Sequence, residues 1–309
     1  MVAFGSFAWI AGANNALDAL GRRLLHRGVS TPLLHIPPTY CYTDLNAAWR
    51  WLSFVVEQIQ NEGLQTEPLV ICVTGKGGNA HNGAMEVLQA LPHKIVTVDD
   101  LSSIVQEKPS QRCIYILPVC PADAVEHKSG ASFDRAHYQE SPHDYFSIFS
   151  RRIAKHISVL LNTAYWNERF PRLFTKLVVR DMFSDEKDIP RLQVVADISC
   201  DVGGSIEFLH RTRSIEWPFY KDDPRQGNEI IDDVSGCGVT VSGVTILPSE
   251  LPKDSSEHFG DTLLPIVRQI IQNSEGDTAG RSAGCLACFP PALSRACIAS
   301  EGELSHGFK

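Results

Sequence analysis

The sequence predicts an α/β fold built on a doubly wound parallel sheet. Three observations predict it. Apolar runs at 69–74 (LVICVT), 157–161 (ISVLL) and 192–198 (LQVVADI) have the unbroken character of strands buried on both faces. Segments of helical period alternate with them, as crossover units in a parallel sheet require. A glycine-rich stretch, TGKGGNAHNGA at 74–84, follows directly on the first run, where a strand would hand over to a helix.

The elements follow in order. Residues 13–27 place Leu17, Leu20, Leu24 and Leu25 on one helical stripe, with Gly28 as the stop. A short apolar piece at 32–36 is closed by Pro37 and Pro38. Residues 44–61 form a second helix with Asp44 placed to cap it. After the strand at 69–74 come a helix at 82–91 and strands at 94–98 and 112–117. Residues 118–142 contain three prolines and many polar groups and read as a long loop. Phe146, Phe149 and Ile153 share one face of an expected helix at 143–156. The strand at 157–161 follows, then a turn or helix from Pro171 to Arg180 and the strand at 192–198. Residues 206–235 read as mostly irregular, 237–247 as an extended segment, and 257–273 as a final helix. The last stretch, 276–309, has no clear period and is expected to be poorly ordered or loosely packed.

Composition bounds the function. With 43% apolar residues in 309, a sizeable core is available. A formal charge of −8 does not suit a nucleic acid as main partner, although a local basic pocket for a phosphorylated cofactor is compatible with it. No apolar stretch is long enough for a membrane span, and no targeting segment is visible, so an intracellular protein of the cytoplasm or mitochondrial matrix is expected. The nine cysteines are scattered and odd in number, which suits free thiols rather than a disulfide framework. Cys285 and Cys288 have metal-like spacing but no matching second pair, only Cys297 and His306, and no metal is expected.

The chemistry centres on 74–84. Gly75 and Gly77 permit a tight turn and close approach of a pyrophosphate, with Lys76, Gly78 and Asn79 in the same loop. Gly83 and Ala84 would let the helix pack closely on the strands. The helix start would offer amide donors and a positive dipole end to phosphates. The spacing G-x-G-G-x-x-x-x-G is two residues longer than the usual dinucleotide pattern, so a glycine-rich turn without ligand is the competing reading. Lys76 is followed by glycine, which excludes a phosphate-loop ATPase motif. Asp99 and Asp100 lie about 24 residues after Gly75. Asp99 either accepts from a ribose hydroxyl, which favours NAD slightly, or merely caps the following helix.

Three further segments add specificity: ISVLLNTAYWNERFPRLFT (157–175), VVADISCDVGGSIEFLHRTRSIEWPFY (194–220) and LPSELPKDSSEHFGDTLLPIV (247–267). With FGSFAWIAGANNALDALGRRLL, TPLLHI and TGKGGNAHNGAMEVLQALP, they resemble the lysine–2-oxoglutarate reductase (saccharopine-forming) part of the aminoadipic semialdehyde synthases, within the wider alanine dehydrogenase and saccharopine dehydrogenase superfamily. The resemblance covers about residues 4–270. It implies a Rossmann-like cofactor domain and an incomplete second Rossmann-like substrate domain. The expected division is a helical connector and substrate-domain remnant at 1–68, the dinucleotide-binding domain at 69–235, a return segment at 236–275 and a divergent tail at 276–309. It also implies that the first half of the substrate domain, with a lysine and a histidine for proton transfer, has no counterpart here.

The resemblance further implies reductive condensation of L-lysine with 2-oxoglutarate to saccharopine, using NADP(H) or NAD(H). That reaction holds two carboxylates and moves protons while an imine forms. Arg172, Arg211 and Arg213 are candidate carboxylate anchors, with ordinary surface arginine as the alternative. Asp197 and Asp201 stand at a strand's C-terminal end, where open sheets bind ligands, and are the catalytic candidates. Asn162, Tyr165 and Trp166 are expected on the nicotinamide side. His81 is a possible phosphate contact, His156 a structural residue and Cys200 a buried thiol. Two other readings stand beside the enzyme: a dinucleotide-binding module without catalysis, and an interaction protein on a decayed dehydrogenase fold. Association with itself or with a partner is expected if core-facing surface is exposed on the connector helices.

Overall fold

The computed structural model describes residues 3–107, 109–185, 190–225, 227–230, 236, 238–275, 291–300 and 302–305. The chain divides into two compact units, Ser6–Asp254 and Met1–Gly5 with Ser255–Lys309.

The first unit is an α/β fold around an eight-stranded sheet. Its strands are β1 (Val70–Val73), β2 (His93–Ile95), β3 (Ile114–Pro118), β6 (Val159–Asn162), β7 (Val194–Asp197), β8 (Phe219–Asp223), β9 (Asn228–Ile230) and β10 (Val239–Ser242). A separate hairpin pairs β4 (Val125–His127) with β5 (Tyr145–Ser147). The helices are α1 (Phe7–His26), α2 (Leu45–Glu62), α3 (Asn79–Ala90), α4 (Leu101–Glu107), α5 (Pro121–Ala124), α6 (Arg135–Glu140) and α7 (Lys176–Met182). Helix α8 (Pro252–Glu275) follows.

The sheet order is β2-β3-β1-β6-β7-β10-β8-β9. Strands from β2 to β10 in that order are parallel; β8 and β9 are antiparallel at the far edge. Side chains alternate between two cores, as the pleat dictates. Ile71, Val73, Ile116, Leu161 and Ala196 face a layer of α1, α2 and α3. Val70, Cys72, Leu117, Leu160 and Val195 face Leu101, Ile104, Phe149, Ile153 and Val179. Burial on both faces explains why these strands are unbroken apolar runs. This is the doubly wound, Rossmann-type architecture that the alternating pattern predicts.

Several elements differ from expectation. The helix expected at 143–156 is a 3-10 turn (Pro142–Asp144), the strand β5 and a π-helical turn (Ser150–Ala154). Tyr145 pairs with His127 across the hairpin and is buried among aromatic rings, and this tertiary packing overrides the helical spacing. The loop expected at 118–142 contains α5, β4 and α6, and the irregular 206–235 contains β8 and β9. Strand β10 lies inside the main sheet, paired with β7 and β8. The cap on α2 is as expected, with Asp44 Oδ1 accepting from the Ala47 N–H at 2.8 Å.

In the second unit, Phe4 stacks on Phe259 with ring centroids 4.8 Å apart. A short helix, α9 (Pro291–Ala296), and the strand pair β11 (Ala299–Ser300) and β12 (Glu303–Leu304) follow. Most of the expected irregular tail, with Cys285, Cys288 and His306, lies outside the described residues. Among the described residues no helix is long and apolar enough to cross a membrane, and Cys41, Cys72, Cys113, Cys120, Cys200 and Cys297 are free thiols.

Candidate functional site

The site is built where β1 ends. Thr74 is buried and ties β1 to the chain beyond β6. Its Oγ1 donates to Asn162 Oδ1 at 2.9 Å and accepts from the Thr163 N–H at 3.0 Å; its carbonyl accepts from Thr163 Oγ1 at 2.6 Å. The chain then turns through Gly75, whose φ of +70° suits glycine. A side chain there would also meet the Thr163 carbonyl at 3.1 Å. The Lys76 N–H donates to the Val119 carbonyl at 3.1 Å, fastening the loop to the end of β3. Gly78 then opens α3. It supplies no side-chain cap, and the first turn holds no acidic residue. The first-turn amides of a twelve-residue helix are therefore left for another acceptor.

Against this turn lies a cleft of about 380 Å³ at the C-terminal ends of β1, β3 and β6. Successive crossovers leave β1 in opposite directions along the sheet here, the position where open α/β sheets bind ligands. Its lining includes Thr74, Gly75, Cys120, Asn162, Tyr165 and Arg172. Among the described residues that line it, Arg169 and Arg172 are the charged ones, and none is an aspartate, glutamate, lysine or histidine. Arg172 stacks over the Trp166 ring at 5.0 Å and donates to the carbonyls of Gly203 and Gly204. Trp166 is itself held by its indole N–H, which reaches the Phe170 carbonyl at 3.1 Å. Tyr165, also in the lining, is 83% exposed.

Gly75, Asn162, Tyr165 and Arg172 thus come together. Asp197 lies beneath them rather than among them. It is 1% exposed, and its Oδ1 accepts from Asn162 Nδ2 at 2.9 Å, from Ser199 Oγ at 2.5 Å and from the Cys200 N–H at 3.3 Å. Burial raises its carboxyl above the usual range against the pull of these donors. Asp201, half-buried, is also raised by desolvation and sits one tight turn from Gly204, where an added Cβ would meet Asp201 Cβ at 2.6 Å. Cys200 is pushed up to about 11 by burial and by Asp197 and Asp201, so it stays a protonated thiol near neutrality.

Other expected residues are elsewhere. Gly83 packs α3 not on the strands but on α1: an added Cβ would meet Trp9 Cβ at 3.0 Å and Ser6 Cβ at 3.2 Å. His81 is buried, with Nδ1 3.3 Å from the Thr74 carbonyl, and burial lowers its pKa. Asp99 stands beyond β2, which β3 separates from β1, and its side chain is 90% exposed, 3.6 Å from Arg152. The neighbour of β1 on that side is β3, so Cys120 holds the corresponding place. Asp100 caps its own turn through Thr97. Arg211 and Arg213 do not line the cleft; Arg213 donates to the Trp217 carbonyl at 3.1 Å. Cys120, Tyr138 and Arg169 were not anticipated. For Cys120 the signal was present: it follows a strand at the edge where ligands bind.

The fold and cleft define an α/β protein with a doubly wound, Rossmann-like sheet. No family model matches the chain. Over 99% of its length it is 37% identical to alpha-aminoadipic semialdehyde synthase of Arabidopsis thaliana, covering 28% of that protein. Over its full length it is 32% identical to the mitochondrial alpha-aminoadipic semialdehyde synthase of Bos taurus, covering 34%. The chain is therefore homologous to the alpha-aminoadipic semialdehyde synthases and spans about a third of their length. Among solved structures, an L-alanine dehydrogenase matches with a TM-score of 0.48 and 16% identity, over 97% of this chain and 61% of that one.

Proposed function

We propose that this chain binds a nicotinamide dinucleotide, NADP(H) or NAD(H), in the cleft between β1, β3 and β6, as part of an oxidoreductase of the saccharopine-forming class. The observation that carries the reading is the cleft itself. It opens at the sheet's switch point, beside a positive-φ glycine turn and an uncapped helix start, and the charged side chains among its described lining residues are arginines. That combination suits an anionic ligand. The bound dinucleotide would supply hydride transfer. The Gly75 turn and the start of α3 would hold its phosphates, and Asn162 and Tyr165 would face the nicotinamide. Arg172 would orient a substrate carboxylate with its fork of donors. Asp201 would meet the substrate amine, and Asp197 would position Asn162. L-lysine and 2-oxoglutarate are the proposed substrates, and the names of the mammalian relatives support a mitochondrial setting.

One observation favours a second reading, dinucleotide binding without turnover. No carboxylate, histidine or lysine lines the described cleft, so proton transfer has no evident agent there. Following nicotinamide absorbance with L-lysine and 2-oxoglutarate separates the two. Oxidation that needs both substrates, with the KM for 2-oxoglutarate raised at least about tenfold in Arg172→Lys, supports the enzyme. Cofactor binding without oxidation selects the binding module.

A further inference from the structure

The β4–β5 hairpin, α6 and the turn at 142–144 bring three potential ligands together away from the glycine loop. One ring nitrogen each of His127 and His137 and one carboxylate oxygen of Asp144 all lie within 4.8 Å of one another, and all three residues are half-buried. His137 Nε2 is 3.7 Å from Asp144 Oδ2. Ligands of one first-row metal ion, each about 2.0–2.2 Å from it, stand slightly more than 3 Å apart, so little movement is needed.

The surroundings fit the same use. Tyr145 Oη lies 3.3 Å from His137 Nδ1 and donates its own proton to the Asp134 carbonyl at 3.3 Å. Its oxygen is thereby free to accept from Nδ1–H, which leaves the Nε2 lone pair facing Asp144. Ser129 Oγ lies 2.7 Å from His127 Nδ1 and can serve that ring in the same way. The Ser129 N–H donates to the same Nδ1 at 3.1 Å, a bond that must open when Nδ1 takes up the proton and Nε2 turns to a metal. Hydroxyls that fix a tautomer from behind are what ligating histidines require. His143 Nε2, on an exposed side chain, stands 3.5 Å from Asp144 Oδ1, the carboxylate's other oxygen.

The position has a consequence. Among the described residues the apolar core of this small subdomain is Val125, Tyr138 and Tyr145, with the partly buried rings of Phe133 and Phe170 packed against them. Small units with little core are commonly fixed by a metal. Val125, Tyr138 and Ser147 of the same subdomain form one wall of the cleft. We propose that His127, His137 and Asp144 form a site for a divalent transition cation of zinc's class, which braces this wall. Imidazole and carboxylate donors suit that class of ion. The proposal is independent of what the cleft binds.

The test uses the whole chain, stripped with a chelator and titrated with zinc chloride, with bound metal counted after equilibrium dialysis. One equivalent is expected that the His127→Ala/His137→Ala variant lacks. Asp144→Asn, which keeps the side chain's shape, is expected to weaken binding at least about tenfold while leaving the metal-free unfolding temperature unchanged. Zinc is expected to raise the unfolding temperature of the wild type and not of the double variant. The difference between the cobalt(II) spectra of wild type and double variant should lack a thiolate charge-transfer band, which excludes a cysteine site. No stoichiometric uptake, uptake retained in the double variant, or a thiolate band in the difference spectrum would each overturn the proposal.

Discussion

Asn162 donates its side-chain N–H to Asp197 Oδ1 over 2.9 Å, joining the C-terminal ends of β6 and β7. The carbonyl of the same amide accepts from Thr74, so one buried side chain fixes three strand ends beside the cleft. Asp197 is therefore a positioning residue, and its effects should be read through Asn162. Asp197→Ala leaves the donors of Asn162, Ser199 and Cys200 without their acceptor and should cost about 2–3 kcal/mol. Asp197→Asn keeps one oxygen for them and replaces a carboxyl whose charged form burial disfavours, so stability at neutral pH should be equal or higher. Chemical denaturation of both variants checks this; a large loss in Asp197→Asn would mean that the charge itself is required.

Glu250 offers a pH-dependent handle remote from the cleft. It is fully buried and pushed up to about 6, chiefly by desolvation, despite accepting from Asn15 Nδ2 at 2.6 Å and from Thr39 Oγ1 at 2.8 Å. A carboxyl raised in the folded state stabilises most below its unfolded value of 4.5, and that contribution is lost as pH rises through about 6. The loss is about 2 kcal/mol. Glu250→Gln should remove this slope between those two pH values; denaturation curves across the window with an unchanged slope would contradict the assignment.

The glycine loop predicts a contrast between two substitutions of equal size. Gly75 and Gly77 both have positive φ, but only Gly75 is crowded, at 3.1 Å from the Thr163 carbonyl; nothing lies within 4 Å of a Cβ at Gly77. Gly77→Ala should cost about 1 kcal/mol from backbone strain alone. Gly75→Ala should cost more, about 2–3 kcal/mol, because Thr163 must also give way. Thermal unfolding of the pair measures the difference, and equal costs would show that the close approach to Thr163 is not maintained.

Asp99 should not set cofactor preference. It is exposed, stands two strands from β1, and pairs with Arg152 at 3.6 Å, an exposed pair worth at most about 1 kcal/mol. Asp99→Asn should change the ratio of NADPH to NADH affinity by less than about twofold, since a loss of direct ribose contact would cost far more. A shift of tenfold or more, read by ligand titration, would return Asp99 to the site.

Much of the fold was legible because the central strands are buried on both faces. Cys72, Leu160 and Val195 announce themselves as members of apolar runs regardless of their partners. The order of the sheet was not legible. β2 carries Lys94 and an exposed Ile95, so nothing local shows that it sits outside β3 rather than beside β1. That single unreadable pairing misplaces Asp99. Gly75 and Arg172 were legible as a turn residue and a donor fork. The other arginines look the same in sequence, and only the sheet separates Arg172 from Arg211 and Arg213. The cluster of His127, His137 and Asp144 matches no short-range spacing, because the hairpin register that assembles it hides in a segment that reads as a loop and a helix.

The cleft beside Gly75 is proposed to hold a nicotinamide dinucleotide. Calorimetric titration of the purified chain with NADPH and NADH, run beside Gly75→Ala, tests it most directly. Saturable binding of at least one of the two at a single site is expected, weakened at least about tenfold in Gly75→Ala under conditions where that variant remains folded. No binding of either cofactor by the folded wild-type chain, or binding that Gly75→Ala leaves unchanged, would contradict it.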